Sequence, residues 1–182
     1  MYDFVIIHGS YGSPFENWFP WLFDELTNKG KNVVCPQFPC GQGIQNFENW
    51  EKVLDAYLPF INEKTTFIGH SLAPAFIVDY LLKKELKVDK LLFAAPFYGK
   101  IKIPEFDAVN LPFFFNKDFE KIKKNSNTRI CYISKTDPYV PNELSLKFAN
   151  DISAQIKFIE NAGHFNKAAG YTKFIELLQD LL

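Results

Sequence analysis

Arginine is almost missing from this chain. Its 182 residues include 20 Lys or Arg, and Arg129 is the single arginine. Bidentate guanidinium recognition of phosphate or carboxylate therefore has one residue to draw on. Charge of one sign is also missing: the net charge is −1, with none of the basic excess of a nucleic-acid binder. Cysteine is scarce and odd in number. Cys35, Cys40 and Cys131 form no C-x-x-C pair, which argues against a disulfide framework and for reduced thiols in a cytoplasm. A Cys35–Cys40 bridge is the one local pairing left open. No apolar run is long enough to span a bilayer, so no membrane partner is expected. The opening MYDFVIIHG carries no basic segment and no cleavage site, and reads as a first strand rather than a leader. There is no H-x-H or H-E-x-x-H spacing and no adjacent carboxylate cluster, so no metal is expected.

What is abundant is phenylalanine, with 20 copies against one Met. The chain is 47% apolar and 23% charged, ordinary for a globular protein. Its length fits one domain that buries about 70% of its unfolded surface. The phenylalanines must therefore serve a core or a pocket wall.

Apolar runs alternate with helical patterns. Strands are expected at 3–7, 32–35, 65–69, 89–95, 129–134 and 155–159. Helical spacing occupies 14–29, 46–58, 72–84, 115–124, 142–150 and 170–182, with Pro20 marking the true start of the first helix. Gly30 ends that helix. Residues 96–114, rich in Pro and Phe, read as irregular. The strands are continuously apolar, as in a parallel sheet covered on both faces. Helical crossovers require parallel pairing. The fold class is α/β: a three-layer α/β/α sandwich around a six-stranded, doubly wound parallel sheet, in a single domain spanning 1–182.

Chemistry in such a fold gathers at the carboxyl ends of the strands. The first strand runs into His8-Gly9-Ser10-Tyr11, the third into Gly69-His70-Ser71-Leu72, the fifth into Lys135-Thr136-Asp137 and the sixth into Gly163-His164-Phe165. A serine hydroxyl is a weak nucleophile without a base, and the base needs a carboxylate to hold its tautomer. Ser71, His164 and Asp137 are the candidate nucleophile, base and orienting acid. GHSLA departs from G-x-S-x-G at Ala73, one methyl larger, and Pro74 falls where a first helical turn tolerates it. The Leu72 amide is the natural first oxyanion donor, and Ser10 or Tyr11 would provide the second. Each residue also has a plainer role. Ser71 would suit an N-cap, Asp137 starts an Asp-Pro turn, and His164 could be a buried structural histidine. His8 is expected to shape the oxyanion loop and His70 to pack beside the serine. Trp18 and Trp21 could form a pocket wall, although at least one should be core. Phe97, Tyr98, Phe106, Phe113, Phe114 and Phe115, from the irregular segment, and Phe165 beside the histidine are further wall candidates, against the plainer reading that many cap the core edge.

The segments HGSYGSPFENWFPWL, GHSLA, SKTDPYVP and NAGHFN together resemble the small serine hydrolases of the retinoblastoma-binding-protein-9 and YdeN type. The resemblance spans residues 4 to about 166. It implies a minimal α/β-hydrolase fold without a large lid, a triad of Ser71, Asp137 and His164, esterase-type activity on small acyl substrates and no cofactor. Thioesterase or amidase chemistry would use the same groups, and a non-catalytic binding module would keep the fold. One family member binds a retinoblastoma protein through L-x-C-x-E; that sequence does not occur here.

Overall fold

The computed structural model describes residues 1–114 and 118–182. Six strands alternate with helices. They are β1 (Phe4–Ile7), β2 (Val33–Val34), β3 (Thr66–His70), β4 (Val88–Ala94), β5 (Ser126–Ile133) and β6 (Gln155–Phe158). All pair in parallel, in the order β2-β1-β3-β4-β5-β6. The register sets Val5 beside Phe67 and Ile7 beside Gly69. The chain leaves β1 to one side for β2 and returns to the other side for β3. This reversal opens a crevice at the carboxyl ends of β1 and β3, where open α/β sheets hold ligands.

Strict alternation divides the core into two layers. Val5, Ile7, Phe67, Leu91, Phe93 and Cys131 face one side. They meet α2 (Phe47–Asp55), α3 (Ala73–Lys83) and α6 (Asn142–Asp151), through residues such as Trp50, Phe76 and Phe148. Phe4, Ile6, Ile68, Leu92 and Tyr132 face the other, against α1 (Phe19–Asn28) and α7 (Ile175–Leu181). Central β1 and β3 are buried throughout, whereas edge strand β6 has both ends exposed. That burial explains why the central strands read as unbroken apolar runs. Twelve of the phenylalanines are buried, so most of the enrichment serves the core.

Local signals set the helix ends. Pro20 sits in the first turn of α1, where its missing N–H costs nothing, and Gly30 leaves the helix at φ 74°. Asn46 caps α2 by accepting the Asn49 N–H at 2.9 Å. Residues 14–18, which continue the helical spacing, are turns and a bend, and α1 starts at Phe19, beside the expected start at Pro20; the last helix begins at Ile175 rather than near 170.

The segment after β4 departs furthest from expectation. Residues 96–103 carry no helix or strand, as expected, but α4 (Pro104–Asn110) follows and runs directly into a 3-10 turn at Leu111–Phe113. Pro104 and Pro112 hide a helix this short from any periodic signal, but each sits in a first turn. The entry is fixed by Asp107, whose carboxylate accepts the N–H groups of Ile101 (2.8 Å) and Lys102 (3.1 Å). The next helix, α5, covers Phe119–Asn125. The Phe115 wall position lies outside the described residues.

Candidate active site

The loops after β1, β3, β5 and β6 converge over the crevice. After β3 the chain turns sharply at Ser71, whose φ of 61° lies in the left-handed region that costs a non-glycine residue energy. The Ser71 N–H still extends the sheet by donating to Ala94 O at 2.9 Å. Space at this turn is tight. A Cβ on Gly69 would fall 2.8 Å from Ile77 Cδ1 and 3.2 Å from Pro74 Cδ, and one on Gly9 would fall 2.8 Å from Ser71 Cβ. Glycine is needed at position 9, where the contact is with the root of the serine side chain, and is favoured at position 69 by the close approach of Pro74. Ala73 opens α3 and is fully buried, and Pro74 lies in its first turn. The N-cap of α3 is Leu72, with no side-chain cap bond, so Ser71 does not serve as a helix cap.

Ser71 Oγ instead lies 3.0 Å from His164 Nε2, and His164 Nδ1 lies 2.7 Å from Asp137 Oδ2. With Nδ1–H donating to the carboxylate, Nε2 is left to accept the serine proton. Asp137 is itself fixed, since its Oδ1 accepts the N–H groups of Tyr139 (2.9 Å) and Val140 (3.0 Å). The Asp-Pro turn and the orienting bond use different oxygens of one carboxylate. His164 is 8% exposed and Ser71 9%, open enough for a small ligand.

The other two histidines support this chain of bonds from behind. His70 donates Nε2–H to His164 O at 2.7 Å. Burial first, then the nearby His164, lower its pKa to about 3, so it remains a neutral donor. His8 donates Nδ1–H to Gly9 O at 2.9 Å and accepts the Phe38 N–H on Nε2 at 3.0 Å. Burial lowers its pKa too. His8 thereby shapes the loop that carries Ser10.

The N–H groups of Leu72 and Ser10 donate to no acceptor among the described residues, whereas Tyr11 N–H donates to Gln45 Oε1 at 3.1 Å. Of the two residues considered for the second oxyanion donor, Ser10 has the free amide and Tyr11 does not. Beneath these groups is a cavity of about 170 Å³. Phe97, Ile101, Phe106 and Val140 contribute apolar wall, and Glu16 is the one charged side chain among the described lining residues apart from the histidines.

Several expected wall residues lie elsewhere. Trp18 and Phe165 are fully buried and off the cavity lining. Trp18 Nε1–H donates to Phe165 O at 3.0 Å, so the indole supports the histidine loop rather than the ligand. Tyr98 and Phe114 pack edge to face at 5.0 Å against the core, also off the lining. Phe113 is core, 4.8 Å from Trp50. Of the described aromatics in that segment, Phe97 and Phe106 reach the cavity.

The sequence reading missed Gln45 and Asn110. Gln45, 2% exposed, takes the Tyr11 N–H and donates Nε2–H to Val109 O at 3.4 Å. Asn110 Oδ1 accepts the Ser10 hydroxyl. Both tie α4 to the loop after β1. A lone polar residue between Val109 and Leu111 was the only signal available for Asn110. All three cysteines are free thiols, and burial pushes the Cys35 thiol up to about 12. Among the described residues no cluster of His, Cys, Asp or Glu could hold a metal, and no helix is long and apolar enough to cross a membrane.

A Bacillus subtilis (strain 168) protein named as a hydrolase, YdeN, is 29% identical over 184 residues, covering 97% of this chain and 92% of its own. The crystal structure of the B. subtilis ydeN gene product superposes with a TM-score of 0.89 at 24% identity, over 100% of this chain and 98% of the other. A meta-cleavage product hydrolase from Pseudomonas fluorescens IP01 shares the fold, with a TM-score of 0.70 at 15% identity over 98% and 89% of the two chains. The family model for serine hydrolases matches residues 4–182. With the fold, the YdeN likeness and this match in agreement, the chain belongs to the serine hydrolase family, as a small hydrolase of the YdeN type.

Proposed function

We propose that this hydrolase cleaves short acyl esters through Ser71, His164 and Asp137. The carrying observation is the unbroken pair of hydrogen bonds from Ser71 Oγ to His164 Nε2 (3.0 Å) and from His164 Nδ1 to Asp137 Oδ2 (2.7 Å). As Oγ bonds to the acyl carbon, its proton passes to Nε2 and the carbonyl electrons move onto oxygen. The Leu72 and Ser10 amides hold that oxyanion. Collapse breaks the ester C–O bond, and His164 returns the proton to the departing alcohol. Water then repeats the sequence, releasing the acid and restoring Ser71.

The cavity volume favours a small acyl group, since a dry cavity of about 150 Å³ accommodates benzene. Among the described residues no Lys or Arg lines it, which disfavours a substrate that needs a cation beside the scissile bond. Of the thioesters, one with a phosphorylated carrier is therefore the poorer fit. The three free cysteines favour a protein of the cytoplasm, acting on a small molecule.

A fluorophosphonate probe tests the reading. The wild type should label on Ser71 and Ser71→Ala should not. An unlabelled wild type would leave a binding module as the better account. Turnover of matched ester, thioester and amide substrates then ranks the leaving groups, with the ester expected first.

A further inference from the structure

Asn110 is 1% exposed, yet it lines the cavity beside Ser71. Its Oδ1 is occupied by the Ser10 hydroxyl. Its Nδ2 has no acceptor among the described residues and is not fully sealed, since across those residues only Arg129 Nε and Asn142 Oδ1 are fully buried without a partner. A nearly buried amide thus presents donor capacity to the same space as Ser71. The lining mixes Phe97, Ile101, Phe106 and Val140 with polar groups such as Asn17, Tyr139 and Asn166, and among the described residues none of these accepts from it. A nearly buried donor left without a partner is costly unless a ligand supplies the acceptor, and such sites reject analogues that lack one.

The placement says where that acceptor belongs. Asn110 grips the side chain of Ser10, and the Ser10 N–H is the proposed second oxyanion donor. The amide is therefore next to the expected position of the substrate carbonyl, on the side closed by α4. Gln45 fixes the same two segments by joining Tyr11 N–H to Val109 O. The Tyr11 ring meets Phe106 at 5.8 Å, so α4 is attached to the loop along several residues. A carboxylate on the acyl group would find no lysine or arginine among the described lining residues and would meet Glu16. A neutral oxygen meets neither obstacle.

From these features, and resting on the serine hydrolase reading above, we infer that Asn110 is a substrate-contacting specificity residue. It selects short acyl groups with a neutral acceptor oxygen one or two atoms from the scissile carbonyl, the alkoxyacyl or hydroxyacyl class, over plain alkyl groups of equal size.

The test compares p-nitrophenyl methoxyacetate with p-nitrophenyl butyrate, which share a leaving group and heavy-atom count. Each kcat/KM is divided by the ester's hydroxide hydrolysis rate to remove intrinsic reactivity. The wild type should favour methoxyacetate by about tenfold or more. Asn110→Asp keeps an acceptor for Ser10 and removes the amide donor; Asn110→Leu removes both. Both variants should bring the corrected ratio close to one. A purely structural role would lower both substrates together and leave the ratio unchanged. A wild-type ratio near one overturns the inference whatever the variants do, as does a preference that survives in Asn110→Asp. Fluorophosphonate labelling of the same wild-type sample separates the two readings. Labelling without preference sinks only the role of Asn110, and no labelling sinks the hydrolase mechanism beneath it.

Discussion

The two loops that meet at Ser71 are held in different ways. The loop after β6 hangs from the core. His70 and Trp18 grip two consecutive carbonyls, those of His164 and Phe165, and both donors are buried. The loop after β1 is held on its outer side by α4, through Asn110 to Ser10 and through Gln45 between Tyr11 and Val109. The proposed base is therefore placed by groups the fold cannot lose cheaply. The proposed oxyanion donor depends in part on a seven-residue helix at the rim. Change at the first loop should reduce stability and turnover together. Change at the second should alter turnover and selectivity while the fold stays nearly intact.

Trp18→Phe should break the first arrangement with the largest effect. It removes the indole N–H from Phe165 O and part of a fully buried ring, at a cost of about 1–3 kcal/mol. In a domain of this size that lowers Tm by roughly 3–10 °C. Turnover should fall about ten- to a hundredfold, because a base displaced by a fraction of an ångström loses its line to Oγ. Calorimetry and ester kinetics on one preparation check both. Unchanged kinetics in a destabilised variant would show that Trp18 supports the core without placing His164.

This division also explains what the sequence made legible. Ser71, Asp137 and His164 could be proposed as a set because each follows an expected strand, and the sheet brings strand ends together. Positions such as Gly69, two before the serine, follow from sharp-turn chemistry alone. Trp18 was misplaced because a buried aromatic at helical spacing does not disclose which carbonyl its N–H will meet 147 residues away. Asn110 and Ser10 are one hundred residues apart, and nothing local links them. The short helix between them has a proline in its first turn and too few residues for a period, so α4 read as loop. Central packing leaves a mark along the chain, while single polar contacts between distant segments do not.

His70 sharpens the comparison through pH. Its pKa is lowered from 6.5 to about 3 by burial and by His164, so between those values the unfolded chain binds the extra proton. Stability is then full above about pH 6.5 and declines as the pH falls toward 3. The loss is several kcal/mol at most, at about 1.4 kcal/mol per pKa unit. His8, lowered in the same direction, adds to the slope. His70→Gln places an amide donor near the former Nε2 and cannot titrate. Urea unfolding at pH 7 and pH 5 should give a smaller difference for this variant than for wild type. An equal difference would show that the acid sensitivity arises elsewhere, and that the core support of the histidine loop is not its titrating part.

The smallest expected effect belongs to the outer attachment. Gln45→Leu keeps the volume but leaves Tyr11 N–H and Val109 O without their shared partner. The loss should be about 1 kcal/mol, moving Tm by only a few degrees. Selectivity should move more than stability, because α4 and Asn110 would be less firmly fixed over Ser10. The corrected preference for methoxyacetate over butyrate should fall severalfold, while fluorophosphonate labelling of Ser71 continues. Calorimetry alongside the two-ester assay reads both quantities. If Tm falls as far as in Trp18→Phe while the preference holds, α4 is part of the core support after all, and the contrast between the two loops is lost.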